Sequence, residues 1–295
     1  ESHRAARESA HSRGEELMPA CDGPIITSMR NQRVVDARKL ALRKHRQRQG
    51  RFLVEGLQLI HMGLEAGARA LEAFYCPKLF SGAEAPALLE RLGRAGARSL
   101  QVSPKVMRSL CQRDAPQGLV VTFALLEASL SQVLLIDDGL IVILDRLQDP
   151  GNLGTLVRTA DAVGALAVVL IESCVDPFDP KTVRATMGSL FNLPLVRTRD
   201  VSGLFAWLQE RGFAPVGADV HSGVLWGQGL WGGRVALVLG NEARGLGGDL
   251  RTHVGHWARL PMVGRAESLN VSVAGGVLMY SWLCAHRESS SEMGQ

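Results

Sequence analysis

The chain has 295 residues, 46% hydrophobic but only 5% aromatic, with 32 glycines, a net charge of +4 and an isoelectric point near 9.0. That length suits two domains with sizeable cores, and the glycine content suits an α/β protein with many tight turns. The longest apolar runs are strand-sized, which argues against a membrane-spanning helix, and residues 1–20 lack the apolar core of a secretory signal. Residues 1–23 read instead as a disordered tail. Arg4, Arg7 and Arg13 keep a transit peptide open, and Glu1, Glu8, Glu15 and Glu16 weigh against it. The five cysteines, Cys21, Cys76, Cys111, Cys174 and Cys284, form no CxxC pair. They argue against a disulfide framework or a zinc site and suit a reducing, cytoplasmic compartment, with an organelle as the alternative.

In chain order, a basic helix is predicted over 25–48, capped by Ser28, with Val34, Val35, Leu40 and Leu42 on its apolar side. RFLVEG reads as a strand, LQLIHMGLEAG as a helix, LEAFYC as a strand and 85–97 as a helix. SLQVS follows as a strand, PKVMRSLC as a short helix with Pro104 in its first turn, and GLVVTFAL as a strand. This alternation makes 24–126 a small α/β domain. A connector over 127–139 leads to a second α/β domain at 140–288. Its predicted elements are the strand LIVIL, a helix over 152–164, the strand LAVVLI and a helix over 181–190. They continue with a helix over 202–212, strands within APVGAD, VALVLG and WARLPM, and a terminal helix over 268–286 before a tail at 289–295. The uniform apolarity of VALVLG marks a central parallel strand.

The positive charge is concentrated. Between Ser28 and Arg51, Arg30, Arg33, Arg38, Lys39, Arg43, Lys44, Arg46, Arg48 and Arg51 stand against Asp36 alone, so nine positive less one negative is +8, whereas the whole chain carries +4. A solvated helix face is the plain explanation, but clustering this dense favours a polyanionic partner.

Three loops of the second domain each follow a predicted strand: DPGNLG after LIVIL, GNEARGLG after VALVL, and PMVGRAESLN after WARL. Ligands of open α/β sheets bind at that edge. No GxxxxGK[ST] is present, no GxGxxG that follows a predicted strand and has an acidic residue about twenty positions on, no GxSxG, and no His/Cys cluster, so P-loop, dinucleotide, acyl-transfer and metal chemistry all lose ground. At about 100° per residue Leu153, Leu156, Val157, Ala160 and Val163 share one side of the helix over 152–164, and Thr155 and Arg158 fall opposite. Arg158 is therefore outside the core stripe.

With Asn152 and Arg158, Gly240-Asn241-Glu242 and Ser268-Leu269-Asn270-Val271-Ser272 in this order and spacing, residues 140–286 resemble the SpoU/TrmH family of RNA ribose 2′-O-methyltransferases, of the SPOUT class. The stretch RNQRVVDARKLALRKHRQRQGRFLVEG resembles, more loosely, the family's RNA-substrate-binding domain, a small module like certain ribosomal proteins. The resemblance implies a parallel sheet with a deep trefoil knot, S-adenosylmethionine as cofactor, and a homodimer with its pocket near the subunit interface. It implies that Gly240, Asn241, Leu260, Met262, Ser268 and Leu269 hold the cofactor. Leu260 and Leu269 would cover the adenine faces, and Gly240 would let the backbone approach without a Cβ.

The same resemblance puts Arg158, Asn152, Glu242 and Asn270 at the reaction centre. A ribose hydroxyl must lose its proton to become a good nucleophile, so a base or polarising group must come within about 2.6–3.2 Å of it. A guanidinium is a reluctant base, and Arg158 is expected to position and polarise the hydroxyl, with base action left open. Asn152 would orient Arg158 or the ribose. Glu242 would pair with an arginine, fix its loop or relay a proton. Asn270 and Ser268 stand where the last helix starts, so N-capping is their ordinary role. Arg38, Lys39, Arg43, Lys44, Arg46 and Arg48 would hold the RNA backbone, with Lys181 and Arg184 as further phosphate candidates. Such contacts position RNA without naming a nucleotide. The expected target is ribosomal RNA. Transfer RNA and a non-catalytic RNA-binding or assembly factor are the alternatives.

Overall fold

A computed structural model of the protein describes residues 23–112, 115–241 and 244–292, with side chains to residue 286. The expected tail at 1–23 therefore lies outside the described residues except for Gly23, and so does Glu242. The chain divides into two compact units at Leu125/Leu126. No helix among the described residues is long and apolar enough to cross a membrane.

The N-terminal unit carries helices α1 (Gln32–Lys39) and α2 (Arg43–Gln49), strand β1 (Arg51–Glu55), α3 (Leu57–Glu65) and β2 (Ala70–Tyr75). It continues with α4 (Glu84–Arg94), β3 (Arg98–Gln101), α5 (Pro104–Leu110) and β4 (Leu119–Ala124). The sheet order is β1-β4-β2-β3, with β2 and β3 parallel and β4 antiparallel to both its neighbours. The single basic helix expected over 25–48 is two helices, with no glycine or proline between them. Arg46 explains the break. It is 2% exposed, and its Nη1 donates to the carbonyls of Leu40 at 2.7 Å and Ala41 at 3.0 Å, satisfying the end of α1 where a continuous helix would have used backbone N–H groups. Asn31, not Ser28, caps α1, accepting from Arg33 N.

The C-terminal unit holds β5 (Leu140–Asp145), α6 (Pro150–Ala162), β6 (Ala167–Ile171), α7 (Pro180–Ala185), β7 (Leu195–Thr198) and α8 (Val201–Glu210). Then come β8 (Phe213–Ala218), β9 (Val224–Leu225), β10 (Arg234–Leu239), α9 (Gly248–Arg251), β11 (His256–Arg259) and α10 (Val271–Glu292). Seven strands run in the order β7-β6-β5-β10-β8-β11-β9, and every pairing is parallel. β10 sits at the centre with Val235 to Leu239 at most 1% exposed, as the unbroken run VALVL anticipates. β7, β9 and α9 have no counterpart in the sequence reading; four residues or fewer give little periodicity to detect. The helix expected over 181–190 stops at Ala185. Thr186 Oγ1 turns back onto the Val183 carbonyl, and positive φ angles at Met187 and Gly188 reverse the chain. The terminal helix starts at Val271 and runs to Glu292, into the stretch expected as a tail.

Glycine sets the helix layer. A Cβ on Gly154 of α6 would lie 2.3 Å from the Cβ of Ala185 and 2.9 Å from its carbonyl carbon, so α6 and α7 meet nearly backbone to backbone. Gly154→Ala is expected to cost about 1–3 kcal/mol through overpacking. The measurement is a lowered urea midpoint with an unchanged slope; an unshifted midpoint would show that the helices part freely.

Candidate active site

The C-terminal ends of β10, β8 and β11 open into a cavity of about 600 Å³. All six residues expected to hold the cofactor line it: Gly240, Asn241, Leu260, Met262, Ser268 and Leu269. Its floor is apolar, from Leu239 of β10 and Ala274 and Leu278 of α10. α10 reaches that floor because it carries Gly275, where a Cβ would come within 2.6 Å of both Leu156 and Leu239 side-chain carbons.

The second loop is braced from both sides. Asn241 and Gly245 exchange backbone hydrogen bonds at 3.0 and 2.9 Å, and Asn241 Nδ2 donates to the Arg146 carbonyl at 2.9 Å. Gly247 N donates to the buried carboxylate of Asp145 at 3.0 Å, and Arg146 clamps the same carboxylate through Nε and Nη2. This pairing holds the Arg146 guanidinium even more firmly charged than usual. Gly240 has a reason the sequence reading did not name. A Cβ there would lie 2.3 Å from the Gly245 carbonyl carbon and 2.5 Å from Leu246 N, so the loop's own return, rather than a ligand alone, requires glycine.

Beside the cavity, the first and third loops join. Asp149 caps α6 by accepting from Asn152 N at 2.7 Å, which fixes Asn152 in the first turn. Asn270 Nδ2 donates to Asn152 Oδ1 at 3.0 Å, and Ser272 Oγ donates to the same oxygen at 3.4 Å. Asn270 Oδ1 accepts from Ser272 N at 2.8 Å, so it caps α10 while facing Asn152. Leu269 and Val271, on either side of Asn270, line the cavity.

Arg158 stands apart. It is exposed and lines no part of the cavity. Leu156 meets α10 at Gly275, and Arg158 lies about 200° further round α6. It follows Gly154 by one turn, on the edge of α6 that meets α7, the helix carrying Lys181 and Arg184. Within one chain, then, Asn152 and Asn270 come together and Arg158 does not join them.

The basic segment also divides. Arg33 and Arg51 both pair with Glu72, which is 6% exposed, and Arg46 is spent on backbone carbonyls. These three serve the N-terminal core, and Arg46 is thereby removed from the expected RNA contacts. Arg38, Lys44 and Arg48 are exposed, Lys39 and Arg43 half-buried.

One wall was missed. Ala218, Asp219, Val220 and His221, after β8, also line the cavity. The available signal was APVGAD itself, a fourth strand end on the same edge, but its loop carries no Asn-Gly pattern like the other three.

An all-parallel sheet with a cavity at its carboxyl edge, walled by the second and third loops and the turn after β8, defines an α/β protein with a ligand-sized cleft where open parallel sheets bind their ligands. The chain belongs to the SpoU rRNA methylase family, whose model matches residues 139–280, and residues 31–121 match the MRM3-like substrate binding domain. It is 31% identical over 255 residues to the 23S rRNA (guanosine(2553)-2'-O)-methyltransferase RlmP of Bacillus subtilis, covering 86% of this chain and 97% of that one. It is 32% identical over 278 residues to the 23S rRNA (uridine(2479)-2'-O)-methyltransferase of Streptomyces viridochromogenes, covering 92% and 94%. Among solved structures, the AdoMet-bound rRNA methyltransferase from Sinorhizobium meliloti superposes with a TM-score of 0.81 at 33% identity, over 89% of this chain and 98% of that one. The SpoU methyltransferase AviRb from Streptomyces viridochromogenes, in complex with AdoMet, gives 0.78 at 29% identity, over 87% and 98%.

Proposed function

We propose that the protein transfers a methyl group from S-adenosylmethionine to a ribose 2′-hydroxyl of ribosomal RNA, working as a homodimer in the cytoplasm. One observation carries the reading: the six residues expected to hold the cofactor line a single cavity of about 600 Å³, a size suited to a ligand of this kind. Leu260 and Leu269 offer apolar cover for a flat base, and the backbone of Gly240, Asn241 and Gly245 offers polar groups for its edge. The names of the relatives favour ribosomal over transfer RNA. Titration calorimetry with S-adenosylmethionine tests the cavity; absence of heat would leave a binding module without catalysis. A knotted path through the loops belongs to the same proposal.

S-Adenosylmethionine supplies a methyl carbon already activated by a sulfonium. The remaining work is at the hydroxyl. The Asn152–Asn270–Ser272 network is suited to orient the sugar, because each side chain is held by another. Arg158 is the polarising cation for O2′ as its proton leaves. The position of Arg158, away from the cavity of its own chain, favours action on the donor bound by a second copy. The second copy has a surface to bind. Val273, Val277 and Tyr280 of α10 are 50%, 36% and 48% exposed and, at spacings of four and three, share one face with exposed Cys284.

The exposed part of the basic segment is the proposed RNA-backbone grip. Reversing charge at Arg38, Lys44 and Arg48 together is expected to weaken RNA binding and to lower the log–log salt slope by about two to three. Cofactor affinity should not move. Unaltered RNA affinity would make this face a solvated surface only.

A further inference from the structure

Among the described residues, Asp219 is the most heavily engaged carboxylate on the cavity wall. Oδ1 accepts from His221 N at 2.9 Å and Ser222 N at 3.0 Å, and Oδ2 accepts from Arg251 Nη2 at 3.1 Å. Its own N–H donates to the Ala258 carbonyl at 3.0 Å. Burial alone would push its carboxyl up, but the two backbone N–H groups and Arg251 outweigh that and bring it down to about 2. The contact is therefore present at any working pH and is lost only as pH falls through that value.

Arg251 is the last residue of α9, the helix that begins where the second loop ends, and its guanidinium stacks on Trp257 at 4.3 Å. Trp257 in turn occupies the space that glycines leave: a Cβ on Gly217 would meet its ring at 2.6 Å, and one on Gly223, at φ +117°, would meet its carbonyl oxygen at 2.4 Å. One carboxylate thus ties the turn 219–223 to β11 and to the element that follows loop 240–247. Asp219 lines the cavity, and so do Gly240, Asn241 and Gly245 of the loop that leads into α9, where Arg251 N donates to the Gly247 carbonyl at 3.0 Å.

We propose that Asp219 is a positioning residue for the cofactor: through Arg251 it locks the wall after β8 against the second loop, and so sets the opening between them. This rests on the reading that the cavity binds S-adenosylmethionine. The residue acts on ground-state binding of the donor, not on the hydroxyl, so its loss should separate KM from kcat.

The test uses the full chain and compares wild type with Asp219→Ala, Asp219→Asn and Arg251→Ala. Binding of S-adenosylmethionine is followed by calorimetry, and methyl transfer by steady-state kinetics at saturating RNA. Asp219→Ala is expected to raise Kd and KM for the cofactor about ten- to a hundredfold, the range for losing charge-assisted hydrogen bonds, with kcat within about threefold of wild type. Asp219→Asn keeps an oxygen for His221 and Ser222 and should recover part of the affinity. Arg251→Ala should match Asp219→Asn, and the double variant should be no worse than either, because both remove the same tie. RNA affinity should be unchanged throughout. Wild type that binds the cofactor while Asp219→Ala binds equally well overturns the inference alone. So does a loss of kcat with KM unmoved, or a parallel loss of RNA affinity, which would mark a general folding defect. Wild type that binds no cofactor overturns the cavity reading itself.

Discussion

Arg158→Ala is expected to lower methyl transfer by about two to four orders of magnitude, the range for losing a group that assists proton removal. Cofactor affinity should stay close to wild type, because Arg158 lines no part of the cavity. Stability should hardly change, since the side chain is exposed and outside the buried stripe of Leu153, Leu156, Val157 and Ala160. Single-turnover kinetics at saturating donor and RNA is the measurement; an unchanged rate would remove Arg158 from the chemistry.

Gly240→Val should have the largest effect on the cofactor. Any Cβ at this position collides with backbone, the Gly245 carbonyl carbon at 2.3 Å and Leu246 N at 2.5 Å, and backbone cannot swing aside as a side-chain tip can. The loop must open, which breaks the Asn241–Gly245 pairing and releases Asn241 from the Arg146 carbonyl. Calorimetry should find no cofactor binding, while the urea midpoint falls by no more than a core overpacking cost of about 1–3 kcal/mol. Retained affinity would mean that the cofactor does not use this loop. The two variants also test each other. If Arg158 serves the partner's donor, mixing Arg158→Ala with Gly240→Val chains yields heterodimers with one complete site, and about a quarter of wild-type activity returns in a random mixture. If Arg158 serves its own chain, neither site is complete and nothing returns.

The loops were legible in the sequence where Gly- and Asn-bearing turns repeated after apolar runs, and residues of two of them line one cavity. Gly240 follows the uniformly apolar run VALVL and Leu260 ends WARL, both readable as strands, and Leu269 stands further along the loop that leaves the second of them. What the sequence hid was non-local. The break between α1 and α2 depends on Arg46 reaching back to two carbonyls, and a basic residue in a basic run gives no sign of that. The same holds for Arg33 of α1 and Arg51 of β1, whose shared partner Glu72 lies on β2. Asp219 was invisible for a related reason: a single aspartate after a strand reads as an ordinary turn residue until Arg251 and Trp257 are seen beside it. The displacement of Arg158 from Asn152 is different, since the helical wheel already put it opposite the core stripe. The proposed role of Arg158 at a second subunit draws on what the sequence does not give, the placement of α10 and α7 on the two sides of α6.

A cavity that delivers a methyl group to a sugar oxygen of RNA must leave that group on the ribose. The direct measurement is to incubate the protein with S-adenosylmethionine labelled in its methyl group and with ribosomal RNA, digest the RNA to nucleosides and identify the labelled one. The expected label is in a single 2′-O-methylnucleoside, and it should vanish with Gly240→Val. Label on a base, or none on RNA with wild-type protein, would show that the cavity does not serve ribose methylation.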